Sequence, residues 1–452
     1  MPHVNLKAAV PASTASVSAG VMIMVLILAS AGSAEVPGSA PPSLFPEEEP
    51  LHLTVASTAG ERFGTAIVDA WLPPGPAPIR YVVIHQHGCG DKTAQAAAAM
   101  VYDRQWRALC RLHHSALVVP RYFTGSSCAD WNAPAAGSER VLLKALEEIA
   151  RQTGRPEVRS APWVIWGHSG GASWAVQMVV RHPGRTVALA LRGGASSQFG
   201  DRQFREQFAQ AVSTLPMIFV WGAAEARPSS RHFVSWNPMQ AMAAQLRQGG
   251  ARLGVAVDPL SEHQAGNSRL VILPFFSAVM AAAREMGAEP SGRYVHRDGS
   301  ERAPSPSSRH DPEFMWLPNS TVVESYRSFV KRGTVREVGP PKRGPELRAA
   351  IRDGRPMLQW RIVPEVDSGV RSIRIYRDQR LIQELGSGTG RFLAEYGDTP
   401  PPAILSDTFV DPTATPGECY DYAVSFVSWI GIESPRSAVV RLLLPKRLHY
   451  SP

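Results

Sequence analysis

Short apolar runs alternate with helical patterns over the first two thirds of the chain. Runs such as 80–84, 163–166 and 216–221 have the length and the β-branched content of buried strands. Between them, stretches such as 138–152 repeat apolar residues at helical spacing. Strands that alternate with helices in this way predict an α/β fold, with a mostly parallel sheet and helices on both of its faces.

The pattern changes after residue 286. Residues 287–345 are rich in Pro, Ser, Gly and Arg, and among them only 321–331 has a helical pattern. We therefore expect a connecting segment with one short helix. From residue 346 onward, short alternating runs such as 372–377 and 420–428 predict an all-β sandwich.

The first residues have the pattern of a secretory signal peptide. Lys7 precedes the apolar run 21–28, and small residues up to Ala34 offer a cleavage site. An uncleaved N-terminal anchor is the alternative, although the run is shorter than the roughly 20 apolar residues that span a bilayer. The expected division of the chain is a signal peptide at 1–34, a flexible segment at 35–50, a catalytic unit at 51–286, the connecting segment at 287–345 and the sandwich at 346–452.

Composition indicates a globular chain and argues against a nucleic-acid partner. Hydrophobic residues make up 44% of the 452 residues and charged residues 19%, which suffices for a packed core. The net charge of +8 is dispersed along the chain, and the sequence contains no basic run interleaved with aromatic residues. We therefore expect no nucleic-acid binding.

The four cysteines lack the C-x-x-C spacing of zinc or redox sites. An exported protein can keep disulfides, and we expect Cys89 and Cys128 to lie in loops that meet above the sheet. Cys110 falls within a helical pattern and is either a buried thiol or an alternative partner. Cys419 is expected in the core of the sandwich.

Residues 167–171 read Gly-His-Ser-Gly-Gly and fit G-x-S-x-G. A buried strand precedes this motif and a helix follows it, which is the setting in which its serine is a nucleophile. In a chain with 37 glycines the bare pattern also arises by chance. Its position between strand and helix favours Ser169 as a nucleophile at the carboxyl end of the sheet.

A serine nucleophile needs a histidine base and an acid that orients the base. His263 follows the last predicted strand, which is where the base is expected, although a surface histidine in a polar loop is the alternative. Glu225 follows the preceding strand and is the first candidate for the acid. Asp258 stays open as a competitor, because sequence spacing does not determine side-chain orientation.

The oxyanion of such a site needs two backbone donors. The N–H of Gly170 is one candidate, and the glycine-rich loop with Gly88 offers the N–H of Cys89 as the other. The rival interpretation is that the histidines at 85 and 87 form a metal-binding pair. Tyr122, Trp131 and Trp236 are candidates for lining a substrate cleft, or else ordinary packing residues; no metal ligand set is assigned.

These motifs resemble those of α/β-hydrolases over about residues 50–286. The His-Gly-Cys-Gly loop at 87–90, followed by Cys128-x-x-Trp131-Asn132, is similar to the polyhydroxybutyrate-depolymerase and feruloyl-esterase group, whose members are secreted serine esterases. Those enzymes usually have Asp at the position of Glu225. Residues 346–445 resemble a fibronectin type III module, in which Trp360 would be the core tryptophan and Tyr420-x-Tyr422 would lie on the strand of the tyrosine corner.

The resemblance implies a secreted or periplasmic serine esterase that needs no metal or organic cofactor. The expected substrate is an ester, with polymeric esters such as plant-wall esters or polyesters among the candidates. After signal cleavage no stable membrane span is expected. A serine peptidase of the same fold and an inactive binding or adhesion protein are the alternatives.

Overall fold

A computed structural model describes most of the chain after its first residues. The described residues are 45, 49–124, 127–194, 197–284, 292–300, 302–334, 343–362, 366, 369–386, 405–428 and 431–446. The expected signal peptide at 1–34 lies outside them, as does most of the Pro-rich stretch near 340. Within the described residues, no helix is both long enough and apolar enough to cross a membrane.

An eight-stranded sheet forms the centre of the larger part of the molecule. Its strands are β1 (Leu51–Ala56), β2 (Thr65–Trp71), β3 (Tyr81–Gln86), β4 (Ser115–Tyr122), β5 (Trp163–His168), β6 (Thr186–Arg192), β7 (Met217–Gly222) and β8 (Leu253–Asp258), in the spatial order β1-β2-β4-β3-β5-β6-β7-β8. β2 runs antiparallel to both β1 and β4, and every other neighbouring pair in this sheet is parallel. Every residue of β3, β5 and β7 is buried, and because side chains alternate between faces, both faces of the sheet are covered. The α/β-hydrolase fold class is confirmed.

Seven α-helices of the described residues accompany this sheet. They are α1 (Asp91–Ala97), α2 (Arg104–His113), α3 (Ser138–Thr153), α4 (Gly170–Arg181), α5 (Arg202–Ala211), α6 (Phe233–Gln248) and α7 (Arg269–Arg284). The sequence pattern at 92–112 predicts one helix, and that prediction is wrong. The carboxylate of Asp103 accepts hydrogen bonds from the amides of Gln105 and Trp106, so it caps a new helix there.

A serine at the start of the helical pattern predicts an N-cap at Ser138, but the N-cap of α3 is Gly137 and Ser138 is the first helical residue. The Ser138 hydroxyl instead donates to the carbonyl of Trp131 at 2.6 Å and accepts from the indole N–H of Trp174 at 3.0 Å. A hydroxyl already engaged with two tertiary partners is not available to the helix amides, so tertiary contacts override the local capping preference.

The connecting segment contains more regular structure than its composition suggests. Strands β9 (Arg293–His296) and β10 (Phe314–Leu317) form an antiparallel pair, and helix α8 (Ser320–Arg332) follows the pair. The hydroxyl of Tyr326 in α8 donates to the carbonyl of Val255 in β8 at 2.7 Å. This segment therefore packs directly on the edge of the large sheet.

The residues described after 343 form only β-strands and connecting turns, as predicted. One sheet has the order β11-β12-β15 and the other β14-β13-β16-β17, with strands β11 (Glu346–Arg352), β12 (Arg355–Arg361), β13 (Ser372–Arg377), β14 (Arg380–Gly386), β15 (Thr408–Val410), β16 (Cys419–Val427) and β17 (Val440–Leu443). Leu358 and Trp360 of one sheet share a core with Ile375 and Phe426 of the other. Tyr422 is buried in the same core and donates to the carboxylate of Asp411 at 2.7 Å.

The sandwich contacts the N-terminal end of α2. The side-chain amide of Gln105 donates to the carbonyl of Val366 at 2.6 Å. Phe45 is 2% exposed, and its ring lies under the guanidinium groups of Arg348 and Arg361, at 4.1 and 5.4 Å from its centroid. Apolar burial and cation–π contacts thus hold Phe45, the first described residue, against the sandwich.

Candidate active site

Ser169 lies at a sharp turn between β5 and α4. Its backbone has φ 54° and ψ −117°, a conformation that costs energy for a residue with a side chain. The turn also brings three chain segments together, because a Cβ built on Gly171 would lie 2.4 Å from the carbonyl oxygen of His87. Only glycine fits there, and the serine hydroxyl is left at the carboxyl end of the sheet.

The structure brings Ser169, His263 and Glu225 together. The Nε2 atom of His263 lies 2.8 Å from Ser169 Oγ, and its Nδ1 atom lies 3.0 Å from Glu225 Oε1. An ionised carboxylate only accepts hydrogen bonds, so Nδ1 carries the ring proton. The unprotonated Nε2 then faces the serine hydroxyl and accepts its hydrogen bond.

Strand ends position these three side chains. Ser169 follows the last residue of β5, Glu225 lies three residues beyond β7, and His263 lies five residues beyond β8. Parallel strands end at one edge of a sheet, so residues that are far apart in sequence meet there. The side chains of His263 and Glu225 are only 12% and 5% exposed, which reduces competition from water.

Asp258, the competing acid, does not contact His263 among the described residues. Its Oδ1 atom accepts a hydrogen bond from the amide of Leu260 at 2.9 Å. Its Oδ2 atom lies beside Gly266, 2.7 Å from a Cβ built on that residue. Asp258 is the last residue of β8, whereas the described hydrogen bond of His263 Nδ1 goes to Glu225.

A buried arginine faces the carboxylate of Glu225. The Nη1 atom of Arg192 lies 3.2 Å from Glu225 Oε1, the same oxygen that accepts from His263. Burial raises the pKa of Glu225, and the nearby guanidinium opposes that rise. Burial also disfavours the charged form of Arg192, so it lowers the pKa of that guanidinium.

The loop after β3 approaches the serine closely. A Cβ built on Gly88 would lie 3.3 Å from Ser169 Cβ. The Gly88 carbonyl accepts hydrogen bonds from Thr93 Oγ1 at 2.8 Å and from His87 Nδ1 at 2.5 Å. In a trans peptide the N–H points opposite to the C=O, so these bonds direct the Cys89 N–H away from Thr93 and His87.

A disulfide joins Cys89 to Cys128, so the two loops meet as expected and Cys110 is not the partner. It packs against the start of α4, because a Cβ built on Gly170 would lie 2.5 Å from Cys89 Sγ. Gly170 is the first residue of that helix, so its N–H has no acceptor within the helix. The disulfide therefore holds the Cys89 loop against the residue that follows the serine.

The two remaining cysteines are free thiols. Cys110 is fully buried in α2, and burial raises the pKa of its thiol. Cys419 was expected in the sandwich core, but it is exposed. It is the first residue of β16, and burial along this strand becomes continuous only from its fourth residue.

The two histidines of β3 have structural partners. His85 stacks on the ring of Trp166, with ring centroids 4.2 Å apart. His87 Nε2 accepts from the amide of Tyr122 at 3.1 Å, while its Nδ1 faces the Gly88 carbonyl. Burial lowers the pKa of His85 well below its usual value and that of His87 to about 4, so both rings stay neutral. Among the described residues, no group of three or more His, Cys, Asp or Glu side chains is arranged to hold a metal ion.

Two of the three aromatic residues considered for a substrate cleft belong to the core instead. Tyr122 and Trp131 are 1% and 0% exposed, and their rings stack with centroids 5.2 Å apart. The Tyr122 hydroxyl donates to the Ser138 carbonyl at 3.1 Å, which satisfies its polar end inside the protein. Trp236 is half-buried and meets the ring of Trp221 edge-on.

Sequence reasoning missed two residues beside the triad. Arg192 ends an otherwise apolar buried strand, and a charged residue at such a strand end was the available signal. His232 stacks on His263, but it lies 31 residues earlier in a loop of polar sequence, where no local pattern distinguishes it.

The chain is similar to several solved structures at low identity. LpqC, a poly(3-hydroxybutyrate) depolymerase from Bordetella parapertussis, is 15% identical over 54% of this chain and 91% of its own, with a TM-score of 0.33. A thermostable carboxyl esterase from Bacillus coagulans is 12% identical over 52% of this chain and 98% of its own, with a TM-score of 0.35. A human fibronectin type III domain is 15% identical over 26% of this chain and 97% of its own, with a TM-score of 0.18.

No family model matches the sequence, and no curated protein matches it. The assignment to the α/β-hydrolase fold class therefore rests on the strand order, the single antiparallel strand within the sheet and the serine turn after β5.

Proposed function

We propose that the protein is a serine hydrolase that cleaves carboxylic esters. The observation that carries this proposal is the continuous hydrogen-bonded path from Ser169 Oγ through His263 to Glu225, at 2.8 and 3.0 Å. A serine hydroxyl is a weak nucleophile until a base accepts its proton, and this arrangement supplies both the base and the group that orients it.

In the proposed reaction, Ser169 Oγ attacks the ester carbonyl carbon while His263 Nε2 accepts the hydroxyl proton. Glu225 stabilises the resulting imidazolium and remains ionised. His263 then gives the proton to the leaving alcohol oxygen as the ester C–O bond breaks, which leaves an acyl group on Ser169. A water molecule attacks this acyl-enzyme by the same proton transfers, and the carboxylic acid leaves with the serine restored.

The N–H groups of Gly170 and Cys89 are the proposed oxyanion donors. Three observations support this role: the position of Gly170 at the start of α4, the orientation of the Gly88–Cys89 peptide and the packing of the disulfide against Gly170. A helix N-terminus adds a partial positive charge where the oxyanion develops. This chemistry requires no cofactor.

We further propose that the chain is exported to an oxidising compartment. The disulfide between Cys89 and Cys128 supports this location, because such bonds persist mainly outside the reducing cytosol. The pattern of residues 1–34 agrees with export. We also propose the domain boundaries that the sequence predicts. In this division, residues 346–452 form a module similar to fibronectin type III.

The test is hydrolysis of p-nitrophenyl esters of increasing acyl length by the purified mature protein. Ser169→Ala should lower kcat at least about 10³-fold, since a triad acts as a unit. Ser160→Ala is the matched control, because Ser160 is an exposed serine outside the site, and its activity should equal that of the unaltered protein.

Matched anilides of the same acyl groups separate an esterase from a peptidase of the same fold. Ester activity well above anilide activity is expected, and the reverse order would favour a peptidase. Activity that survives in Ser169→Ala would contradict the proposal.

A further inference from the structure

Arg192 is the last residue of β6, and its side chain is completely buried. Its guanidinium donates to acceptors on two separate segments that carry the proposed triad. These acceptors are Glu225 Oε1 at 3.2 Å, Ser261 Oγ at 3.0 Å and the carbonyl oxygens of Glu262 at 2.7 Å, of Ala265 at 3.4 Å and of Gln264.

Four of the five acceptors lie on residues 261–265, the turn that has His263 at its centre. The remaining acceptor is the carboxylate oxygen that faces His263 Nδ1. A guanidinium presents five donors in a rigid plane, whereas a lysine ammonium presents three at a point. One side chain thus ties the carboxylate to the loop that carries the imidazole.

We propose that Arg192 is a positioning residue that holds Glu225 and the His263 loop in the arrangement in which carboxylate and imidazole meet, and that its fixed charge keeps that carboxylate ionised. This inference rests on the proposed function and extends it to a residue outside the triad. Arg192 is completely buried, and it shares the carboxylate oxygen of Glu225 with His263. A fully buried charge is costly unless its hydrogen bonds are all used, so the bonds of Arg192 to the His263 loop support this proposal.

The charges around Glu225 set the direction of the expected effect. His263 and His232 face the carboxylate from the neighbouring loops, Glu262 adds a like charge, and Arg192 is a permanent cation in direct contact. Asp258 acts on Arg192 from β8. Removal of a fixed positive charge raises the proton affinity of the coupled Glu225–His263 pair, so protonation inactivates the site at higher pH.

The experiment is the pH profile of kcat/KM for Arg192→Met in the full mature chain. The acidic limb should move up by about one pH unit, because a charge at contact distance in a partly buried site changes proton affinity by that order or more. The value of kcat at neutral pH should fall roughly 10²-fold. Arg192→Lys keeps a charge but loses the planar fork, so its acidic limb should stay in place while kcat falls about tenfold.

Arg247→Met is the matched control. Arg247 is also completely buried and also donates to several carbonyl oxygens, those of Ala251, Ser308, Arg309 and Phe314, but it lies on α6 away from the triad. The Arg247→Met variant should have a lower melting temperature and an unmoved pH profile. If the role of Arg192 is purely structural, Arg192→Met should give that same result.

The two proposals fail differently. Ser169-dependent activity with an unmoved acidic limb in Arg192→Met would overturn the role of Arg192 and leave the proposed function intact. Activity that survives in Ser169→Ala would overturn the proposed function itself. If Arg192→Met does not fold, Arg192→Lys decides the question. An unaltered kcat in Arg192→Lys would overturn the role of Arg192. A lower kcat in Arg192→Lys, with the acidic limb in place, would support that role.

Discussion

The ring of His232 lies face to face on the ring of His263, with centroids 3.5 Å apart and planes inclined by 3°. The loop before α6 is tied to the His263 loop, because Ser230 Oγ accepts from the His232 amide at 3.1 Å and donates to Glu262 Oε1 at 2.5 Å. Arg231 Nε donates to His232 Nε2 at 3.0 Å, so this ring nitrogen acts as an acceptor. The stacked ring covers one face of the proposed base.

Replacement of His232 should therefore affect activity through stacking. Aromatic pairs contribute about 0.5–1.5 kcal/mol beyond the area they bury, which corresponds to roughly a 2- to 10-fold change. We expect His232→Ala to lower kcat by that factor and His232→Phe, which keeps a flat ring, to retain most of the activity. Steady-state ester kinetics measure both. Equal losses in the two variants would show that the stack does not contribute.

Loss of the disulfide should reduce both stability and activity. The bridge closes a loop of 39 residues, and the chain-entropy model gives about 4 kcal/mol for a loop of that length. Cys89→Ser combined with Cys128→Ser should lower the free energy of unfolding by up to that amount. It should also lower kcat about tenfold or more, because the bridge packs on Gly170.

Urea unfolding and ester kinetics are the measurements for the disulfide. Cys419→Ser is the control, since that cysteine is exposed and unbridged. The account of the Cys89 loop would be wrong if the double variant lost stability but kept full kcat.

Gly171→Ala should distort the serine turn. The added Cβ would meet the carbonyl oxygens of His87 at 2.4 Å and of Gln86 at 2.5 Å, and backbone atoms cannot move away as a flexible side chain can. Overpacking of this kind costs about 1–3 kcal/mol. We expect a lower melting temperature and a loss of ester hydrolysis of at least about 100-fold, because small displacements of reacting groups have effects of that order.

Gly64→Ala is the control for this change, because a Cβ there meets no atom within 4 Å. Its melting temperature and its kcat should match those of the unaltered protein. Wild-type kinetics in Gly171→Ala would contradict the close approach of β3 to α4.

The sandwich should lose stability in acid through Asp411. This carboxylate is completely buried; burial alone would raise its pKa, but hydrogen bonds from Thr413 and Tyr422 and the charge of Arg377 outweigh burial and hold the pKa below its usual value. A carboxyl whose folded-state pKa is depressed contributes stability above its unfolded pKa of about 3.9, and loses that contribution as pH falls through the folded value.

Asp411→Asn should therefore lower the free energy of unfolding by roughly 2–3 kcal/mol at pH 7, the scale of hydrogen bonds to a charged group. The difference from the unaltered protein should shrink below about pH 4. Urea unfolding at several pH values tests this, with Asp353→Asn as control, because the side chain of Asp353 is 94% exposed. A pH-independent difference would refute the role of the charge.

Local patterns were enough to predict the sheet, the serine turn and the strand ends that carry Glu225 and His263. These features follow from apolar runs and from the rule that parallel strands end at one edge. The choice between Glu225 and Asp258 depends on the path of the turn after β8, which residue spacing does not encode. The stack of His232 and the contacts of Arg192 involve segments that are distant in sequence, so only the assembled fold reveals them.

Burial was the other quantity that sequence could not supply. Tyr122 and Trp131 have the chemistry of cleft residues, but the packing of the Cys128 loop against β4 places both inside the core. Strands β9 and β10 are four residues each and lie in a Pro- and Ser-rich stretch, so their periodicity is too short to detect. β10 packs beside β8 and β9 pairs with β10, so tertiary packing and not local propensity stabilises them.

The central claim is that His263 activates Ser169, and covalent labelling tests it most directly. The mature protein is treated with a fluorophosphonate probe, and peptide mass spectrometry locates the adduct. We expect one phosphonyl group on Ser169, no adduct in Ser169→Ala, and labelling at least about 10²-fold slower in His263→Ala than in the unaltered protein. An unlabelled Ser169 in the folded protein, or labelling at the same rate without His263, would contradict the account.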